Sequence, residues 1–292
     1  IAQNYMKRRL IFLQNQHFVQ TEIRLKKVPS LVSDNAKEVE EAEGMSRSKV
    51  KQYIIDRKLN MELMEGYLND CSYLDDHHIS ALTSLLFSPS LLHPSSASAK
   101  RNAVVIGLGG GAFPMILQEY VPHMSIYTCD IDKDVEDIAI QYFGYKPHNQ
   151  NIFNEADGVE YIASIARNIK DPSIAKPATY TALPPSTVDY LFLDVDSKDG
   201  SLGMSAPPDS FTTIECLQDI WECLSEEGLL VVNVVARATH LLEEFKIKMV
   251  EVFQEYGPGC TAVIDNGITP GMGGDDSSSN GDKDDKDDMR EM

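Results

Sequence analysis

Cysteine is scarce in this chain. Its five copies, at positions 71, 129, 216, 223 and 260, form no Cys-x-x-Cys pair, which argues against zinc binding and thioredoxin-type exchange. Scattered thiols suit a reducing compartment, so we expect a cytoplasmic protein with reduced cysteines and no metal. Long apolar runs are missing as well. None approaches the roughly 18 residues that a membrane-spanning helix needs, and Ile1–Leu10 lacks the shape of a signal peptide. Basic residues are few, 26 Lys and Arg against 45 Asp and Glu, leaving a net charge of −19. Such a surface repels phosphate backbones, which argues against nucleic acid and favours a basic protein partner. Because the chain begins at Ile1 rather than Met, we expect a fragment or processed product of a larger parent with further domains upstream.

What is present is enough for a core: 292 residues, 42% of them hydrophobic, suit one large domain with appendages. Arg8–Leu13 and Phe18–Val28 read as the strands of a β-hairpin. Residues 30–50, with Glu38, Glu40, Glu41 and Glu43, read as an exposed loop, and residues 51–69 as a helix. Asp75–Phe87 has helical spacing, with Ile79, Leu82, Leu85 and Leu86 on one face. Pro89–Lys100 reads as a linker. From residue 102 the pattern alternates. Strands are expected at 103–107, 125–130, 151–155, 188–194, 228–235 and 260–264, and helices at 112–120, 132–143, 158–169, 209–224 and 239–255. That alternation predicts an α/β fold with a parallel sheet buried on both faces. Residues 266–292 are rich in Gly, Ser and Asp and read as a disordered acidic tail. Within it, 275–292 hold eight acidic residues against three basic ones. The expected organisation is therefore 1–69 (hairpin, acidic loop and helix), 70–265 (ligand-binding domain) and 266–292 (tail).

Each expected strand ends in a motif, at the sheet edge where open α/β folds bind ligands. VVIGLGGGAF (104–113) sets Gly107, Gly109 and Gly111 at alternate positions with Gly110 between them. Glycine permits positive φ and close backbone approach, and a helix N-terminus follows. Gly107-x-Gly109-x-Gly111 fits a methyltransferase nucleotide turn. Gly107-x-Gly109-x-x-Ala112 fits the dinucleotide fingerprint equally, and a tight turn with no ligand also needs glycine. CDID follows the second strand. Asp130, 23 residues after Gly107, is placed to accept ribose hydroxyls, and Asp132 either caps the next helix or joins the ligand. EADG follows the third, where Asp157 can accept an adenine amino group and Gly158 can let the ring lie against backbone; a helix cap is the other use for Asp157. LFLDVDSKDG (191–200) follows the fourth. Its Asp194, Asp196 and Asp199 repel one another unless a cation, an amine or Lys198 neutralises them. His77 and His78 are either ordinary polar residues near a helix start or part of a lid over the ligand. Trp221 is expected in the core.

In that order, IGLGGGAF, CDID, ADG and FLDVDSKD resemble S-adenosylmethionine-dependent methyltransferases of the spermidine-synthase-like branch. Within that branch they resemble the C-terminal domains of the methyltransferase-like protein 13 family. DVDSKD followed by LGMSAPP (202–208) is the most specific part, and RRLIFLQNQHFVQTEIRL (8–25) is similar to that family's leading hairpin. The resemblance covers residues 5–28 and 70–256. It implies a Rossmann-like class I methyltransferase sheet with helices on both faces, preceded by a β-hairpin. The last strand is missing from the visible pattern, because GITPGMGGDDSSS follows 260–264. It implies S-adenosyl-L-methionine as cofactor, with Gly107, Gly109 and Gly111 lining the turn, Asp130 on the ribose, Asp157 and Gly158 on the adenine, and Asp194 facing the methyl donor and the incoming amine. The implied substrate is a protein amine on translation elongation factor 1-alpha, one domain serving a lysine and this one the N-terminus. A second methyltransferase domain upstream is the implied association; the sequence does not fix the oligomeric state, although the leading hairpin offers strands that could pair between subunits in a homodimer.

Three rival readings stand beside this one. Polyamine synthases share the fold and an acid five residues after Asp189, but carry GGGDGG where this chain has GLGGGA, and DSSD where it has DVDSKD. Their Tyr-Gln-Glu helix is poorly matched by SYLDDHHISAL (72–82). A nicotinamide-dependent enzyme accounts for Ala112 but for neither EADG nor DVDSKD. An inactive methyltransferase-like scaffold accounts for the missing last strand.

Overall fold

The computed structural model describes residues 6–11, 19–27, 67–69, 76–87, 100–121, 123–168, 181, 183–197 and 203–256. β1 (Met6–Leu10), β2 (Thr21–Lys27) and β3 (Tyr67–Asn69) form an antiparallel sheet in that order, with Met6 opposite Leu25 and Leu10 opposite Thr21. α1 (Asp76–Ser84) runs into a 3₁₀ turn, Leu85–Phe87. There follow β4 (Arg101–Ile106), α2 (Ala112–Tyr120), β5 (Met124–Asp130), α3 (Lys133–Phe143), β6 (Asn151–Glu155) and α4 (Gly158–Ala166). Next come β7 (Val188–Leu193), β8 (Met204–Ala206), a 3₁₀ turn at Asp209–Thr212, α5 (Ile214–Cys223), β9 (Leu224–Val232), β10 (Val235–Ala236) and α6 (Thr239–Tyr256).

The central sheet is parallel, in the order β6-β5-β4-β7-β9. Its middle strands are apolar on both faces because both are covered. On one face Val104, Ile106, Leu191 and Leu193 pack with Tyr161, Ile162 and Ile165 of α4, Leu217 and Ile220 of α5, and Phe245 of α6. On the other, Ala103, Val105, Tyr190 and Phe192 meet Ala81, Leu85, Phe113 and Leu117. Burial of each large side chain contributes about 1.5–3 kcal/mol, and this two-sided core sets the register that brings the strand ends level. At the amino-terminal end Asp189 ties three strands together: it accepts from the backbone N–H of Asn102 at 2.8 Å and from the hydroxyl of Ser225 at 3.2 Å.

The structure corrects several expectations. The helix expected at 51–69 gives way at its end to β3, which pairs with Leu25–Lys27; cross-strand pairing outweighs a weak local helical pattern there. Residues 51–66 lie outside the described residues. α1 is rotated from the expected face. His78, Ala81 and Leu85 are buried, while Ile79 is 46% and Leu86 60% exposed. The cause is Phe113, on which the His78 ring stacks at 6.1 Å, so α1 is set by a partner that its own periodicity does not reveal. The helix expected at 209–224 is broken at Thr213, whose extended backbone and hydroxyl cap α5 by accepting from the Cys216 N–H; Leu224 already belongs to β9. β8 and β10, absent from the expectation, pair antiparallel beside the sheet's carboxyl end. Trp221 is half-buried, edge-on to Phe253 at 5.6 Å. The strand expected at 260–264, the expected boundary at 265 and the tail from 266 lie outside the described residues, and the expected first segment ends at Asn69, the last residue of β3.

Candidate active site

The chain adds β5 and β6 on one side of β4, then crosses over to add β7 and β9 on the other, so the topological switch lies between β4 and β7. Ligand crevices in such sheets open at that point, outside the carboxyl ends. Here a line of backbone hydrogen bonds closes the edge. Asn233 N–H donates to Leu193 O (2.9 Å), Asp194 N–H to Ile106 O (2.9 Å), Gly107 N–H to Cys129 O (2.8 Å) and Ala156 N–H to Asp130 O (3.0 Å). The first residue beyond each of four strands is thereby anchored to the last or next-to-last residue of its neighbour. The floor carrying Gly107, Asp130, Asp194 and Asn233 is fixed across the whole sheet.

At the switch itself, Gly107 has φ 97°, and a Cβ there would stand 2.2 Å from the carbonyl oxygen of Asp194. Only glycine lets the turn pass that close. The other turn glycines are likewise set by protein neighbours. A Cβ on Gly109 would meet the Thr21 hydroxyl at 2.6 Å, and one on Gly111 the Tyr145 ring at 2.9 Å; a Cβ on Gly158 would meet Ile106 at 2.5 Å and Phe211 at 2.9 Å. Their side-chain directions are thus filled from inside the protein, and what the turn can offer a ligand is its N–H edge. Much of that edge is already engaged. Leu108 N–H donates to Asp130, Gly110 N–H to Thr21, and Gly111 N–H to Leu108 O. Among the described residues, the amides of Gly109, Ala112 and Phe113 have no protein acceptor. α2 begins at Gly111 with no side-chain cap, unlike α3, α4 and α5. An uncapped, glycine-led helix start with three spare amides is an anion-binding arrangement.

Asp130 ends β5 half-buried. Its Oδ2 accepts from Leu108 N–H at 2.9 Å and its Oδ1 from Asp132 N–H at 3.1 Å. Two backbone donors fix the carboxylate plane and leave a lone pair on each oxygen. Asp132 is exposed and caps α3, its Oδ1 accepting from Asp134 N–H at 2.9 Å. Asp157 is exposed and caps α4, its Oδ1 accepting from the N–H groups of Val159 and Glu160. The negative charges of Asp130 and Asp157 both act on one buried neighbour, Cys129, whose thiol is pushed up first by burial and then by these two carboxylates. Burial raises the Cys216 thiol to about 12, with Asp219 and Asp157 adding to it. Asp194 begins the loop after β7, half-buried, and its Oδ1 accepts from the Asn233 side-chain amide at 3.0 Å. Ser197, in the same loop, is tied by its N–H to Ser205 O of β8 at 2.8 Å. Lys198 and Asp199 lie outside the described residues. His78 is buried against Phe113 in the core, the placement of an ordinary packed residue.

Gly107, Asp130 and Asp194, expected from the sequence, are thus held on one edge, with the rest of the glycine turn and the Asp157–Gly158 helix start beside it. Two residues were missed. Asn233 occupies the position after β9 that Asp194 occupies after β7, so a polar residue at a strand end was its one visible signal. Thr21 reaches the turn from 89 residues away, and nothing local marks it.

No family model matches the chain. The eEF1A lysine and N-terminal methyltransferase of Xenopus laevis is 32% identical over 258 residues, which is 87% of this chain and 32% of that protein. The Homo sapiens protein of the same name is 32% identical over 249 residues, 84% of this chain and 32% of its own length. This chain therefore spans about a third of the length of these relatives. The crystal structure of human methyltransferase-like protein 13 in complex with SAH matches with a TM-score of 0.51 and 30% identity, over 61% of this chain and 73% of that one. The chain belongs to the methyltransferase-like protein 13 family. As a member of the methyltransferase-like protein 13 family it has the Rossmann-like methyltransferase fold expected from its sequence: a parallel sheet covered by helices, with the leading hairpin before it.

Proposed function

We propose that this chain is an S-adenosylmethionine-dependent N-methyltransferase that modifies a protein amine in the cytoplasm. The relatives' name points to a lysine or the N-terminus of eEF1A as that amine. The observation that carries the reading is the pairing, on one edge of the sheet, of the fixed Asp130 carboxylate with the spare amides of Gly109, Ala112 and Phe113. SAH in the human relative supports the same cofactor. The three buried free thiols, Cys129, Cys216 and Cys223, accord with a reducing compartment.

The residues present fit that cofactor. Asp130 has one lone pair on each oxygen for the two ribose hydroxyls. Asp157 spends Oδ1 on its helix cap and keeps Oδ2 for the adenine amino group, with Gly158 beside it. The turn of Gly107, Gly109 and Gly111 brings the three spare amides to the carboxylate end, and Asp132 flanks the ribose side with its second oxygen. S-adenosylmethionine supplies a methyl group already activated on a sulfonium. The protein's task is then to hold an amine in line and to accept a hydrogen bond from it. Asp194 is the group for that task, its carboxylate held by the Asn233 side chain from the end of neighbouring β9.

Calorimetry with S-adenosylhomocysteine tests the cofactor, and labelled S-adenosylmethionine with unmodified eEF1A, followed by mass mapping, tests the acceptor. Label on a lysine or on the N-terminal amine is the expected result. Selective binding of decarboxylated S-adenosylmethionine, with transfer of its labelled aminopropyl group to putrescine and release of methylthioadenosine, would assign aminopropyl transfer instead, and binding of NADH alone would overturn both.

A further inference from the structure

The leading hairpin does more than precede the sheet. Leu10 of β1 and Ile23 and Leu25 of β2 are buried with Ala112 of α2 and Phe143 of α3, and the Arg8 guanidinium donates to the carbonyl of Tyr142. Between these contacts Thr21 reaches the glycine turn. Its hydroxyl oxygen accepts from Gly110 N–H at 2.8 Å and lies 2.6 Å from where a Cβ on Gly109 would be. Gly110 is confined from both sides: a Cβ there would meet Phe143 at 2.8 Å and the Thr21 methyl at 2.9 Å. The hairpin thus packs Thr21 against Gly109 and Gly110, next to the spare amide of Gly109.

We propose that Thr21 is a positioning residue for the methyl donor: by holding Gly110 N–H, its hydroxyl fixes the turn so that the amides of Gly109, Ala112 and Phe113 converge on one anion. The turn has little else to hold it in the middle. Gly107 and Leu108 are tied to β5 and Gly111 to Leu108, and among the described residues Thr21 is the one hydrogen-bond acceptor for Gly110 N–H. Four glycines in five residues leave such a loop free to wander, so one external hydrogen bond has large leverage on it. The chain carries this restraint on a segment 89 residues upstream, which couples docking of the hairpin to order in the cofactor turn.

The inference rests on the S-adenosylmethionine reading for its ligand but not for its geometry, and the test separates the two. Thr21→Ala and Thr21→Ser both remove the methyl and differ only in the hydroxyl. In the full chain without ligand, Thr21→Ala is expected to speed hydrogen exchange at the Gly110 amide about tenfold, while Thr21→Ser leaves it close to wild type. With S-adenosylhomocysteine as probe, calorimetry is expected to show affinity lowered about five- to tenfold for Thr21→Ala and within about twofold for Thr21→Ser, at matched melting temperatures. Equal affinities in the two variants would overturn the proposal, as would an unchanged Gly110 exchange rate. A wild-type chain that ignores the probe would overturn the cofactor reading, while the exchange rates would still decide the role of the hydroxyl.

Discussion

At the scale of single residues, the switch point rests on one glycine and one carboxylate. Gly107 combines a φ of 97° with a Cβ direction that ends 2.2 Å from the Asp194 carbonyl oxygen. Backbone cannot yield there without breaking the line of hydrogen bonds from β9 to β5. Gly107→Ala is therefore expected to destabilise the protein by at least about 3 kcal/mol, adding the left-handed strain to the clash. A drop of many degrees in melting temperature, or loss of soluble protein, is the readout, and a wild-type melt would contradict it. Asp194 is a different case. Asparagine keeps the shape and an oxygen for the Asn233 amide, which donates at 3.0 Å, but removes the charge that the proposed function sets against the incoming amine. Asp194→Asn is expected to leave the melting temperature within about 2 °C and S-adenosylhomocysteine affinity within severalfold. Its kcat/KM for the protein acceptor should fall about 10²-fold, the usual scale for losing a positioned proton acceptor. Single-turnover kinetics decide it: an unchanged rate would remove Asp194 from the chemistry.

At the scale of elements, what the sequence reveals and conceals follows from where each element's partners lie. β4 and β7 are apolar on both faces, β5 and β6 carry shorter apolar runs, and all four are bounded by turn residues, so the chain itself announces them, and a carboxylate or glycine at each carboxyl end announces the candidate site. α1 conceals its buried face because Phe113, on which His78 stacks, belongs to another helix. β8 and β10, of three and two residues, carry no pattern at all. Thr21 is invisible because its partner is a backbone amide 89 residues on. The hairpin shows how local charge adds to such docking. Lys7 and Arg9 of β1 both donate to Glu22 of β2, Arg9 at 2.5 Å. Partial burial works to raise the Glu22 carboxyl, but the hydrogen bonds and charges of Lys7 and Arg9 outweigh it and hold it below the ordinary 4.5. A folded-state value below the unfolded one means that this contribution is present above about pH 4.5 and is lost as pH falls through the lowered folded value. Glu22→Gln is therefore expected to lower the melting temperature slightly at pH 7, with the difference from wild type narrowing as pH falls below 4.5 and closing once the Glu22 carboxyl is protonated. A difference that does not narrow on acidification would assign the effect to packing instead. Both partners are largely exposed, so the effect is small and shrinks in high salt.

At the scale of the whole molecule, a net charge of −19 is a statement about encounters rather than about the fold. Five of the nineteen excess charges fall within 275–292, and the rest are spread over the chain that carries the site. A methyl acceptor presented on a basic protein surface would be drawn to such a molecule over a distance set by the Debye length, about 10 Å at 0.1 M salt. The proposed cofactor end of the site would work differently. Asp130 and the spare amides of the glycine turn would meet a cofactor at hydrogen-bond distance, where mobile ions screen little. Raising salt from about 0.05 M to 0.3 M should therefore raise KM for the protein acceptor severalfold while the affinity for S-adenosylhomocysteine stays within about twofold. The two measurements on one preparation separate long-range attraction from local recognition. If both constants move together, salt is acting on the fold, and a melting curve at each salt concentration would show it. If neither moves, the acceptor is recognised through neutral contacts, and the acidic surface serves solubility alone.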